Sequence, residues 1–141
     1  MIKKEEVALA LTVVVVILFG FYFYSQIQAE KVFQELLDAN CEALLKGDVE
    51  ELLSYTTLVP GSSEYQKTLK EKTDLLKTVT VESCSQNIKS ITVSESIAHA
   101  KVDLNMVLVG ADGKHPTTVP DKDTTFVLTA EGWKIQPHEG F

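Results

Sequence analysis

From Val7 to Tyr24 the chain carries eighteen residues without a charge, almost all of them apolar, and beyond this run the apolar positions take first a helical and then a strand-like spacing. A helix rises about 1.5 Å per residue, so the run spans roughly 27 Å, close to the roughly 30 Å hydrocarbon core of a bilayer. It reads as a single membrane crossing. From Ala29 to Lys46, Val32, Phe33, Leu36, Leu37, Cys41, Leu44 and Leu45 recur at steps of three and four, which predicts an amphipathic helix with one buried stripe. Gly47 ends that helix, and Asp48 caps a shorter one with Glu50 and Glu51 in its first turn and Val49, Leu52 and Leu53 inward. Pro60-Gly61-Ser62-Ser63 breaks the chain before a third helix, from about Glu64 to Lys77, whose apolar face of Tyr65, Leu69, Leu75 and Leu76 is thin.

After Lys77 the period changes to two. Val79 and Val81 alternate with Thr80, Glu82 and Cys84, and Ile91 and Val93 continue the pattern. The clearest strand sets Ala98, Ala100, Val102, Leu104, Met106 and Leu108 against His99, Lys101, Asp103 and Asn105. Gly110 to Gly113 and Pro116 to Asp123 supply turn residues, and Thr124 to Thr129 pairs with Trp133 to Gln136 about Glu131-Gly132. Helices followed by an antiparallel meander predict an α+β domain, three helices over one face of a curved sheet of four to five strands. The expected division is a cytoplasmic stretch 1–6, a transmembrane anchor 7–24, a short linker 25–28 and one domain over 29–141.

Charge decides the partners and the sidedness. The sequence has thirteen Lys, no Arg and a formal charge of −7, so it offers no basic stripe for phosphates and no nucleic-acid partner is expected. Lys3 and Lys4 precede the apolar run, and the positive-inside rule counts them while largely ignoring Glu5 and Glu6. The expected topology puts the N-terminus in the cytoplasm and the domain on the extracytoplasmic side of the cell membrane. Phe19, Phe21, Tyr22, Phe23 and Tyr24 fit an aromatic belt at the far interface. The alternative is a cleaved signal peptide with Ile27-Gln28-Ala29 as its site, but the apolar run is longer than the usual stretch of about 7 to 15 residues.

A long amphipathic helix, then Lys46-Gly47-Asp48 opening a short helix that ends near Ser54-Tyr55, then antiparallel strands closing with Gly132-Trp133-Lys134-Ile135, resembles the nuclear transport factor 2-like (cystatin-like cone) superfamily. It looks most like that superfamily's small membrane-anchored or exported members of uncharacterised function. The resemblance implies a cone whose interior, in isomerases and dehydratases of this shape, holds a carboxylate or a His-Asp pair, often with Tyr. One anchor plus one cone also describes the small inner-membrane scaffold subunit of type IV secretion systems. Such sheets commonly dimerise in this superfamily.

Few residues here match an enzyme of that kind. The inward row on the best strand, Ala98 to Leu108, is wholly apolar, and parity puts His99 and Asp103 on the other face. His99 and Asp103 lie about 13 Å apart along that strand, too far to act as a dyad. His99, His115 and His138 share no metal-ligand spacing, and Asp121-Lys122-Asp123 lacks the rest of a calcium loop, so neither metal nor cofactor is expected. Tyr55 and Tyr65 are candidates for a pocket mouth, with packing at the core or rim as the plainer role of an aromatic ring. Met106, Leu104, Phe126, Leu128 and Trp133 compete for the interior, so the cone is expected to be filled, a small apolar ligand being the other outcome.

The expected function is therefore that of a membrane-tethered binding or scaffold module without catalysis. Its expected partner surface is the outer row of Lys101, Asp103, Asn105, Val107 and Val109, which ends in two apolar residues suited to a protein partner or a second copy. A small hydrolase or isomerase, or a secreted ligand-binding domain, stands as the alternative. Cys41 sits on the helical stripe, whereas simple alternation sends Cys84 to the opposite face from Val79 and Val81. Free thiols are thus expected, and a bridge requires a bulge near Glu82 to Ser85.

Overall fold

A computed structural model of the chain describes residues 3–137, without the side chains at 23–27 and 29. The chain falls into two compact units, 1–32 and 33–141. The first is the leading part of helix α1, which runs unbroken from Lys4 to Lys46 and so includes the stretch 25–28 expected as a linker. Lys4–Tyr22 is long and apolar enough to cross a membrane, and none of it is buried.

The second unit is α+β, with three helical segments and one four-stranded antiparallel sheet in the order β1-β2-β3-β4. The last turns of α1 bury Phe33, Leu37 and Cys41 of the predicted stripe together with Ala43, whereas Val32 and Leu45 of that stripe are exposed. Gly47 takes the left-handed φ of 71° that closes the helix, and Asp48 accepts a hydrogen bond from the Glu51 N–H at 3.1 Å to start α2, Val49–Ser54. Ser62 caps α3, Ser63–Thr78, in the same way through the Tyr65 N–H at 3.2 Å. No side chain of α3 is fully buried, as its thin apolar face implies.

The strands are β1 Thr80–Ser94, β2 Ile97–Gly110, β3 Gly113–Thr129 and β4 Gly132–Gln136. On β2 the inward parity is as expected, with Ala98, Ala100 and Val102 buried. On β1 it is not. Extra residues at Glu82 and Lys89 interrupt the pairing with β2, and each bulge exchanges the two faces of the strand. Val81 is inward before the first bulge, Gln86 after it, and Cys84 therefore turns toward α1. Cys41 and Cys84 form a disulfide with Cα atoms 5.4 Å apart, which overturns the expectation of free thiols.

The second correction concerns Pro116 to Asp123, which is strand and not turn. Pro lacks a ladder donor and belongs on edges. Here β4 pairs only with Thr125–Thr129, so the first two thirds of β3 has one open edge that Pro116 and Pro120 occupy without loss. Asp121 adopts a φ of 51° at a bulge between Val102 and Leu104 of β2. At the other end of the sheet, Phe33 packs against Phe126 with the rings tilted by 38° (4.7 Å) and meets Trp133 edge-on (4.9 Å), while Leu128, expected inside, is 45 % exposed beside the β3–β4 hairpin.

Candidate functional site

The aromatic cluster fills one part of the cone; the part under α3 is left open. A cavity of about 200 Å³ lies there, where a filled core was expected. Leu44 of α1, Leu52 of α2, Leu75 and Leu76 of α3 and Leu104, Met106 and Leu108 of β2 form its apolar wall. The cause is local: α3 presents half-buried side chains to the sheet, so the Leu104–Leu108 row has too little cover to be packed to native density.

Four polar side chains share this wall: Asn40, Gln86, Lys72 and Lys122. Asn40 is 3 % exposed and Gln86 6 %. The Gln86 amide donates to Asn40 Oδ1 at 3.1 Å, and to the Cys41 sulfur at 3.6 Å. Gln34 holds the same strand from α1, donating to the Gln86 carbonyl (2.6 Å) and accepting from the Ile88 N–H (3.1 Å). The Asn40 Nδ2 donor has no hydrogen-bond partner, although it is buried. Such an orphan donor is costly in a protein interior.

Lys72 and Lys122 are half-buried. Burial lowers the Lys72 ammonium below the ordinary lysine value, with Glu71 opposing, and burial followed by the nearby Lys72 charge lowers Lys122. Lys122 comes to the concave face by parity with Thr124 and Phe126, which are buried on the same strand. Sequence reading missed it because it took this segment as a turn, and missed Asn40 and Lys72 because polar residues on an amphipathic helix read as solvated. A lysine three residues after Leu69 and four before Leu76 is the signal that was present.

The residues singled out from sequence lie elsewhere. Tyr55 and Tyr65 are not in the cavity wall. The Tyr55 hydroxyl donates to Glu51 Oε1 at 3.0 Å, and burial, then that bond, raises its pKa. Tyr65 is half-buried in the first turn of α3. Lys101, Asp103, Asn105, Val107 and Val109 share the outer face of β2, as parity requires. There Lys101 pairs with Asp123, Asn105 accepts from Thr118 at 3.1 Å, and Asp103 accepts the Asp121 N–H at 3.0 Å with Lys89 Nζ 3.9 Å away. Val107 and Val109 are half-buried. His99 contacts Thr125 (3.3 Å) and His115 contacts Asp112 (2.8 Å), while His138 lies outside the described residues. Among the described residues no group of three or more His, Cys, Asp or Glu is placed to hold a metal ion.

No protein-family model matches the sequence, and no curated protein matches it. Solved structures do. A candidate dehydratase of the NTF2-like family from Streptomyces avermitilis superposes with a TM-score of 0.60 at 16% identity, over 80% of this chain and 98% of that one. A ketosteroid isomerase-like protein from Erwinia carotovora atroseptica gives 0.58 at 14%, over 76% and 91%. The Mycobacterium tuberculosis protein Rv3472, of unknown function, gives 0.62 at 11%, over 80% and 70%. Identities this low carry the architecture alone, and the domain that follows the apolar helix has the nuclear transport factor 2-like fold.

Proposed function

We propose that the chain is a single-pass membrane protein whose domain, on the extracytoplasmic side, holds a small molecule in its cone without turning it over. The observation that carries this reading is the cavity: about 200 Å³ of space behind an apolar wall in which no Asp, Glu, His or Tyr takes part. Ligand sites are mostly apolar with a few convergent polar groups, and this wall fits that description. The wall offers two amides and two lysine amines, and no carboxylate or imidazole in it stands beside the amines to form the acid–base pair such chemistry uses. The folds of the candidate dehydratase and the isomerase-like protein do not change this, because one fold hosts many functions. The disulfide and the lysines ahead of the apolar run support the proposed side of the membrane, since disulfides persist in oxidising compartments.

The sequence has two methionines, Met1 and Met106, and Met106 is in the wall, so a methionine-methyl label reports on the cavity directly. Titrating the full chain in lipid nanodiscs with indole, a neutral probe, is expected to move the Met106 methyl resonance to saturation. No movement at millimolar indole overturns the reading. Borohydride trapping of a carbonyl probe on Lys72 or Lys122 overturns the absence of turnover, because a lysine of lowered pKa is the residue that forms a Schiff base.

A further inference from the structure

We infer that the cavity selects a neutral ligand with an apolar body and an amide end, whose carbonyl accepts from Asn40 Nδ2 and whose N–H donates to Gln86 Oε1. The inference rests on the reading of the cavity as a binding site and names the chemistry of its ligand. The apolar body follows from size and lining: a cavity of about 150 Å³ admits benzene, so this one suits roughly seven to ten carbons set against Leu76, Leu104 and Met106. The amide end follows from what Asn40 and Gln86 leave over. Each side-chain amide carries a donor and an acceptor, and the two residues share one hydrogen bond, from Gln86 Nε2 to Asn40 Oδ1. The complementary halves remain, Asn40 Nδ2 as a donor and Gln86 Oε1 as an acceptor. Asn40 is 3 % exposed and its Nδ2 has no partner in the protein, so the acceptor it lacks has to come from the cavity that Asn40 lines.

The pair is also braced where it stands. Asn40 adjoins Cys41 in α1 and Gln86 lies two residues past Cys84 in β1, so the disulfide ties together the two elements that carry it. Gln34 adds a second tie, bonding the Gln86 carbonyl and the Ile88 N–H from α1. Held this way, the Asn40 donor cannot relax toward a protein acceptor, and a fixed, unmet donor beside a fixed acceptor is the preorganised half of a recognition site. A ligand amide supplies both missing partners in one planar group. A ketone supplies only the acceptor, and a carboxylate would set a negative charge against Gln86 Oε1. Lys72 and Lys122 of the same wall are engaged in interactions of their own and take no part in this match.

The test compares 3-phenylpropanamide with 4-phenylbutan-2-one, in which a methyl group replaces the NH2, on the full chain in nanodiscs. The Met106 methyl resonance reports binding, and empty nanodiscs titrated in parallel give the concentration of probe left in water. The ketone is the more hydrophobic of the two and would bind a plain apolar cavity more tightly. The native chain is expected to reverse that order, because the ketone leaves the Gln86 acceptor unmet. In N40L/Q86M, where both partners become apolar groups of similar shape, the ketone is expected to lead again and the amide-to-ketone affinity ratio to fall at least about tenfold. Circular dichroism melts establish that the variant folds; if it does not, the order of the two probes on the native chain decides alone. A ketone that binds the native chain as tightly as the amide, or an amide that keeps its lead in N40L/Q86M, overturns the selection of an amide while leaving the cavity as a binding site. Failure of both probes to move Met106 removes the binding site itself.

Discussion

A single extra residue, Glu82, turns Cys84 toward α1 and allows the bridge to Cys41. The bridge closes a loop of 43 residues, for which loop entropy alone gives about 4 kcal/mol of stabilisation. Urea denaturation with and without reductant is expected to differ by up to that amount, and C41S/C84S to match the reduced native chain; equal midpoints would show the bridge to be energetically idle. Lys72 and Lys122 yield a second prediction at this scale. Their folded values lie below the ordinary 10.5, so between the two the unfolded chain binds more protons and stability from these groups rises with pH. K72M/K122M is therefore expected to be more stable than the native chain at pH 7, with an advantage that shrinks as the pH approaches 10.5. An advantage independent of pH would mean that packing, and not charge, separates the two chains.

Among the elements, β2 organises the sheet, because both its neighbours bulge against it and it stays regular. Asp103 stands where the bulges meet: it accepts the Asp121 N–H from β3, and Lys89, the extra residue of β1, bonds Asp121 Oδ1 at 2.9 Å. Bulges bend strands, so this outer-face cluster sits at the bend that wraps the sheet around the cavity. D103A is expected to cost about 1 kcal/mol in urea denaturation, since it removes an exposed charge and one acceptor of a backbone donor. Further along the same face, Val107 lies between Ser83 and Pro116, and Val109 between Thr80 and Lys114. Contact with a protein or a second copy through these valines is the other reading of the domain. V107K/V109K is expected to leave the free energy of unfolding within about 1 kcal/mol of native, because half-buried lysines can extend to water. If sedimentation then shows the same oligomeric state and the same partners as for the native chain, the face is not an interface.

For the whole molecule, the proposed place of the domain rests on the apolar part of α1, which is long enough to cross a membrane. The full chain is expected to stay in the membrane pellet after a carbonate wash, and protease added outside spheroplasts is expected to cut at the exposed Val59–Gly61 turn. A soluble chain beginning near Glu30 would instead identify the run as a cleaved signal.

Hydrophobic periodicity and capping chemistry were enough for the apolar run, the three helices, the cap at Asp48, the inward row of β2 and hence the α+β class. Each of these depends on residues three or four apart on a helix or two apart on a strand, or on a side chain and its own backbone. The strand over Pro116 to Asp123, the turned face of Cys84 and the open space below α3 depend on something else. A proline is harmless only where no strand pairs on its far side, a bulge is defined by the partner strand, and a void is a mismatch of volumes between elements. Lys72, Lys122 and Asn40 meet at one cavity for that reason: three polar residues unremarkable in their own segments share a wall only when α1, α3 and β3 close over the same row of β2.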